Sequence, residues 1–185
     1  MKYTTTCLTI AAIAAIAAIA LFASCQKEPS TANQAPAVNN PSPALLQILN
    51  TAPTGNPTPI HTIRTTAKPG DEITINGKIM GNANPFVEGR SVFILGDKEI
   101  LTACNDIEGD ECETPWDNCC DSKEDKKRGT ATIQVVDKDG RVLKEPIEGV
   151  GGLAKLADVT VSGKVAEGSS ADLLIINAQA IRPAN

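Results

Sequence analysis

From about residue 64 onward, apolar and polar side chains alternate in short runs set off by glycine and aspartate. Ile73, Ile75 and Ile79 alternate with Thr74, Asn76 and Lys78, and Val159, Val161 and Val165 alternate with Thr160, Ser162 and Lys164. A period of two puts alternate side chains on opposite faces, so both runs predict half-buried strands. They match position by position, Ile-Thr-Ile-Asn-Gly-Lys-Ile against Val-Thr-Val-Ser-Gly-Lys-Val. Each carries a glycine, Gly77 or Gly163, where a core side chain is due. Glycines so placed mark bends or bulges that let a sheet curl. Three further strands are predicted at 91–95, 131–136 and 173–181, with a glycine-rich helical turn at 152–156 ahead of the fourth strand.

Strand, strand, strand, short helix, strand, strand is an order that resembles the OB-fold, a five-stranded Greek-key barrel. The resemblance spans about residues 64–183. It implies an all-β fold with one short helical turn and a long cysteine-rich loop insertion; a small β-sandwich is the rival architecture. OB-folds bind oligonucleotides or sugars on the face of strands two and three and on the loops beside it, which correspond to 82–89 and 166–172 in this chain. Charge and composition disfavour nucleic acid. The net charge is −5, from 17 Lys+Arg against 22 Asp+Glu, and such a surface repels phosphate backbones. Stacking platforms are scarce as well, since beyond residue 25 the aromatics are Phe86, Phe93 and Trp116. Phe93 reads as core; Phe86, in the first loop beside Pro85, is a candidate for a binding surface.

The N-terminal pattern is of another kind. Met1 and Lys2 precede an apolar run at 8–23, almost all Ala, Ile and Leu, and this is shorter than the ~20 residues that span a bilayer comfortably. Residues 1–24 read as a signal peptide. The run ends Leu21-Phe22-Ala23-Ser24-Cys25, which resembles the lipobox of bacterial lipoproteins, with Phe22 where Leu is usual. That resemblance implies that Cys25 becomes the mature N-terminus, is thioether-linked to diacylglycerol and takes a further fatty acyl chain of the palmitate kind. Several chains, at ~0.8 kcal/mol per buried methylene, hold a protein on a membrane where one does so only marginally. Gln26 stands where Asp would, by analogy with enteric lipoproteins, signal inner-membrane retention, so the expected location is the outer membrane facing the periplasm. Residues 25–63 read as the lipidated cysteine and a flexible tether. Positions 26–60 hold seven of twelve prolines, five asparagines and two charges, too little apolar surface to offset ordering entropy. A brief helical turn at 43–49 is marginal alone. The domain proper is placed at 64–185.

Catalytic signatures are sparse. His61, the only histidine, falls at the junction of tether and domain, a poor position for a catalytic base. No phosphate-binding glycine loop, zinc-protease helix or nucleophile elbow occurs. Asp137-Lys138-Asp139-Gly140 is a hairpin turn rather than a calcium loop. The unusual feature is an insertion at 97–128 that holds Cys104, Cys112, Cys119 and Cys120. From residue 104 to 125 it carries nine acidic residues and one lysine.

Three readings of the four cysteines stay open. In an oxidising compartment an even count fits two disulfides, Cys119 and Cys120 each pairing with Cys104 or Cys112. Four thiolates could instead hold one Zn²⁺ or Cu⁺. A thiol–disulfide redox role needs a depressed pKa, which the surrounding acids oppose. Trp116 and Asp117 belong to the candidate interaction surface, although Trp116 packed over a disulfide is a competing reading. The function that follows is a non-enzymatic, lipid-anchored envelope module with no resident cofactor and no assigned metal. It would bind membrane lipid through Cys25 and an unidentified protein or small envelope ligand through its stapled acidic loop. The rival is an envelope metal-binding or thiol-redox protein built on the same cysteines. Cys25→Ser is expected to move the protein from the membrane pellet to the soluble fraction; unchanged sedimentation contradicts the lipobox assignment.

Overall fold

The computed structural model describes residues 40–184. The expected signal segment, the expected lipidation site Cys25 and the expected tether up to residue 39 lie outside the described residues. Five strands, β1 (Glu72–Ile79), β2 (Val92–Gly96), β3 (Thr130–Gln134), β4 (Asp158–Val165) and β5 (Ile175–Pro183), form a closed barrel in the order β1-β2-β3-β5-β4. All pairings are antiparallel except β3 with β5. This is the OB-like barrel expected, and each strand lies within two residues of its predicted span. Alternation explains the match: Ile75, Ile79, Phe93, Leu95, Ile133, Val161, Ile176 and Ile181 are all fully buried inside. Burying a side chain of that size contributes about 1.5–3 kcal/mol.

The two matched glycines let the barrel close. β1 pairs with β4 from Glu72 to Lys78 and with β2 at Lys78 and Ile79, so it turns from one neighbour to the other around Gly77. A Cβ on Gly77 would stand 2.5 Å from the Gly96 carbonyl oxygen. At Gly163 the β4–β5 register slips by a bulge, and a Cβ there would lie 2.3 Å from the Asn177 carbonyl oxygen. Both are backbone contacts that cannot rotate out of the way.

Three expectations need correction. The stretch expected as the end of the tether is docked from residue 43 on: α1 (Pro43–Asn50) lies against β5, with Leu45 fully buried and Ile48 and Leu49 packed on the core. Ser42 caps it, accepting from the Leu45 amide while its own amide donates to Glu145 Oε2 at 2.9 Å. α2 (Ile60–Ile63) follows with Ile60 fully buried. Prolines and asparagines hide these apolar anchors in a composition count, yet the spacing of Leu45, Ile48 and Leu49 gives one apolar helix face. Phe86 is not a surface residue. The β1–β2 loop folds back along β2, and Phe86 is 5% exposed with its ring 6.0 Å from that of Phe93. The helical turn expected at 152–156 is a 3₁₀ turn at Val150–Gly152, where Gly149, Gly151 and Gly152 all have positive φ.

The insertion has more structure than an irregular loop. Asp97, 2% exposed, opens it and accepts from the backbone amides of His61 and Glu99 and from His61 Nδ1 at 2.8 Å. His61 is therefore fixed, and α2 with it. The insertion returns through α3 (Lys123–Gly129), capped by Ser122 and running directly into β3. Gly163→Ala is expected to destabilise the protein by about 2–3 kcal/mol through forced backbone displacement, read as a lower urea midpoint. Gly168→Ala, whose Cβ would only touch Ile175 at 3.5 Å, serves as the near-neutral control.

Candidate metal centre

Backbone pairing within the insertion brings its distant cysteines together. The Cys104 amide donates to the Asp117 carbonyl at 2.7 Å and the Asn105 amide to the Pro115 carbonyl at 2.9 Å, so the segment at 103–105 runs beside that at 115–117. A 3₁₀ turn, Cys104–Asp106, follows. The far side is fastened to the barrel: the Gly81 amide donates to the Trp116 carbonyl at 2.9 Å and Trp116 Nε1 to the Ala83 carbonyl at 3.0 Å. Lys155 Nζ sits 4.0 Å from the centroid of the indole ring, a cation–π contact that adds to the clamp. Beneath the loop, Met80, Leu101 and Ala103 form a small apolar cluster of their own.

The result is convergence of sulfur. The Sγ atoms of Cys104, Cys112 and Cys119 all lie within 4.8 Å of one another, with Cys104 and Cys119 3.4 Å apart. Cys120 Sγ is 3.8 Å from Cys119 Sγ. All four are free thiols in this structure; the two disulfides expected are not formed, since a bridge needs about 2.05 Å. Thiolates around a tetrahedral Zn²⁺ at ~2.3 Å stand about 3.8 Å from each other; Cys104, Cys112 and Cys119 approach that spacing, and Cys120 lies beside Cys119 outside their mutual cluster. The donor set suits a soft or borderline ion.

Burial grades the four thiols from inside to outside. Cys104 is 1% exposed, Cys112 is half-buried, and Cys119 and Cys120 face solvent. Burial, reinforced by the hydrogen bond with Cys119, pushes the Cys104 thiol up to about 12. Cys112 moves the other way, because the Thr114 hydroxyl and then the Thr114 backbone stabilise its thiolate. The hydroxyl oxygen is 3.4 Å from the sulfur. Cys120 is raised by its contact with Cys119. A cation held there would deprotonate the thiols that ligate it, the buried Cys104 included.

The two other candidate residues act as fasteners of this loop. Trp116 is half-buried in the clamp described above, and Asp117 accepts the Asn118 amide on its side chain at 2.7 Å while its carbonyl takes the Cys104 amide. Sequence reasoning missed Thr114, whose signal was its position two residues from Cys112, and Lys126, whose ammonium donates to the Cys119 carbonyl at 3.0 Å.

No protein-family model and no curated protein matches the chain. A solved structure, that of the hypothetical protein ygiW from E. coli, is similar at 14% identity and a TM-score of 0.38, covering 71% of this chain and 94% of that one. The OB-like assignment rests on the strand order and closure of this barrel.

Cys112 is expected to alkylate first with iodoacetamide at pH 7.5 and Cys104 last, by mass spectrometry of timed digests. Thr114→Val should slow Cys112 by returning its pKa toward the ordinary thiol value; unchanged rates would show that the hydroxyl does not activate it.

Proposed function

We propose that this protein is a lipid-anchored envelope module whose OB-like barrel presents a thiolate site for one Zn²⁺ or Cu⁺ ion. The observation that carries the reading is the mutual approach of three sulfurs to within 4.8 Å, with the fourth beside Cys119. Cys104 supplies a buried ligand from the 3₁₀ turn, Cys112 the most acidified thiol of the shifted three, and Cys119 and Cys120 close the solvent side. The role is binding rather than catalysis. The lipobox resemblance at Cys25 supports placement on a membrane of the cell envelope, and the acidic flank, including Asp110 and Glu111 before Cys112, favours cations near the site.

One observation favours a second reading. Cys104 and Cys119, with sulfurs 3.4 Å apart, are within a small movement of bridging, and oxidation in the periplasm would join them. Disulfide and metal compete for the same sulfurs.

A single preparation separates the two. Residues 26–185, expressed in an oxidising compartment, are expected to retain four titratable thiols on denaturation and about one zinc or copper per chain. Cys104→Ala should cost more than the about 10- to 100-fold in metal affinity typical of losing an outer hydrogen-bond partner. Zero thiols with no metal overturns the metal reading in favour of a stapled loop.

A further inference from the structure

A second site lies beside the thiol cluster. A cleft of about 350 Å³ opens where the outer face of β2 and β3 meets α2, the β1–β2 turn and the end of the insertion. Its donors come mostly from outside the barrel: Arg64 from the end of α2, Asn118 from the cysteine loop, and Lys126 and Lys127 from α3. On a chain of net charge −5, three cations in one cleft are a local reversal of sign. The only carboxylate lining it is Asp172, which pairs with Lys127 at the rim.

Two buried donors here lack partners. Asn118 is 3% exposed, and its side-chain nitrogen has no hydrogen-bond acceptor. The Arg64 guanidinium donates to the Thr130 carbonyl, while its Nε is buried without an acceptor. Leaving such groups unpaired is costly, more so for a charged one. Burial also lowers the Arg64 pKa, and the Asp172 charge only opposes that shift. The backbone alongside is held in an uncommon conformation: Asn82, which lines the cleft, has φ 61°, and non-glycine residues in the left-handed region collect at ligand sites. The remaining wall is mixed, with Thr130 and Thr132 beside two apolar side chains. Ile94 projects from β2, and Leu173 is 44% exposed, one of few large apolar side chains left open.

Excess donors and cations beside two apolar side chains in one cleft specify an amphipathic anion. We propose that this cleft binds a small organic carboxylate, its head group taken by Asn118, Arg64 and Lys126 and its apolar body lying on Ile94 and Leu173. The cleft is too small and too short of aromatic platforms for a run of stacked bases. Lys126 also donates to the Cys119 carbonyl, so it can share its three donors between loop and ligand.

The test is a nuclear magnetic resonance titration of the full chain in a non-ionic detergent, with benzoate as the probe and benzamide as its neutral counterpart. Benzoate should move the Asn118 side-chain amide and Arg64 Nε–H signals saturably, and benzamide should leave them in place. Lys126→Gln should weaken benzoate about tenfold, the loss of one charge-assisted hydrogen bond, while Lys138→Gln in the β3–β4 turn leaves it unchanged. Lys126→Gln keeps the barrel intact if the methyl signals of the core isoleucines are unmoved; should it unfold, Leu173→Asp replaces it and is expected to repel the probe. Absence of saturable shifts with benzoate, equal shifts with benzamide, or shifts that avoid Asn118 and Arg64 each overturn the proposal. Because no metal enters the titration, its failure leaves the thiolate reading standing.

Discussion

Closure of the barrel depends on two places where strand backbones meet with no room for a side chain. At Gly77 the β1 chain passes against the Gly96 carbonyl, and at Gly163 β4 bulges against Asn177. Without both approaches β1 could not serve β2 and β4 together, and the sheet would stay open with unpaired edges. Everything functional hangs from that closure. Gly96 ends β2, Asp97 starts the insertion, and α3 delivers it back to β3. The insertion is thus anchored at both stems on adjacent, paired strands.

Asp97 carries this geometry outward. Its buried carboxylate is shared among the His61 amide, His61 Nδ1 and the Glu99 amide, so it ties α2 to the base of the insertion. Burying a carboxylate is costly unless its oxygens are satisfied, and here three donors satisfy them. The same tie holds Arg64 where α2 ends, over the Thr130 carbonyl. Thiol cluster and cleft are therefore positioned by one set of stems, with Asn118 and Cys119 as sequence neighbours looking into each.

Much of the fold was legible because period-two alternation is a local property. Ile73 to Ile79 and Val159 to Val165 announce their strands and their two special glycines with no help from the rest of the chain. The docking of α1 was not legible, because an eight-residue helix is stable only on a surface that exists after the barrel closes. Phe86 was misread for a related reason: its burial depends on the β1–β2 loop doubling back along β2, a tertiary choice with no periodic signature. Within the candidate site, the four cysteines were visible as a cluster in the chain. Which of them converge was set by the pairing of 103–105 with 115–117, a register that composition does not encode. Asn118 and Arg64 were invisible in the sequence, since what marks them is a missing partner.

The clamp that holds the cysteine loop also gives it a built-in optical label. Trp116 is the only tryptophan in the chain, and the single tyrosine, Tyr3, lies outside the described residues. Indole emission from the protein therefore originates entirely within a few residues of the sulfurs, under an ammonium on one side and a hydrogen bond to Ala83 on the other. Any event that shifts this loop against the β1–β2 turn is written into the colour and intensity of that emission without an added dye.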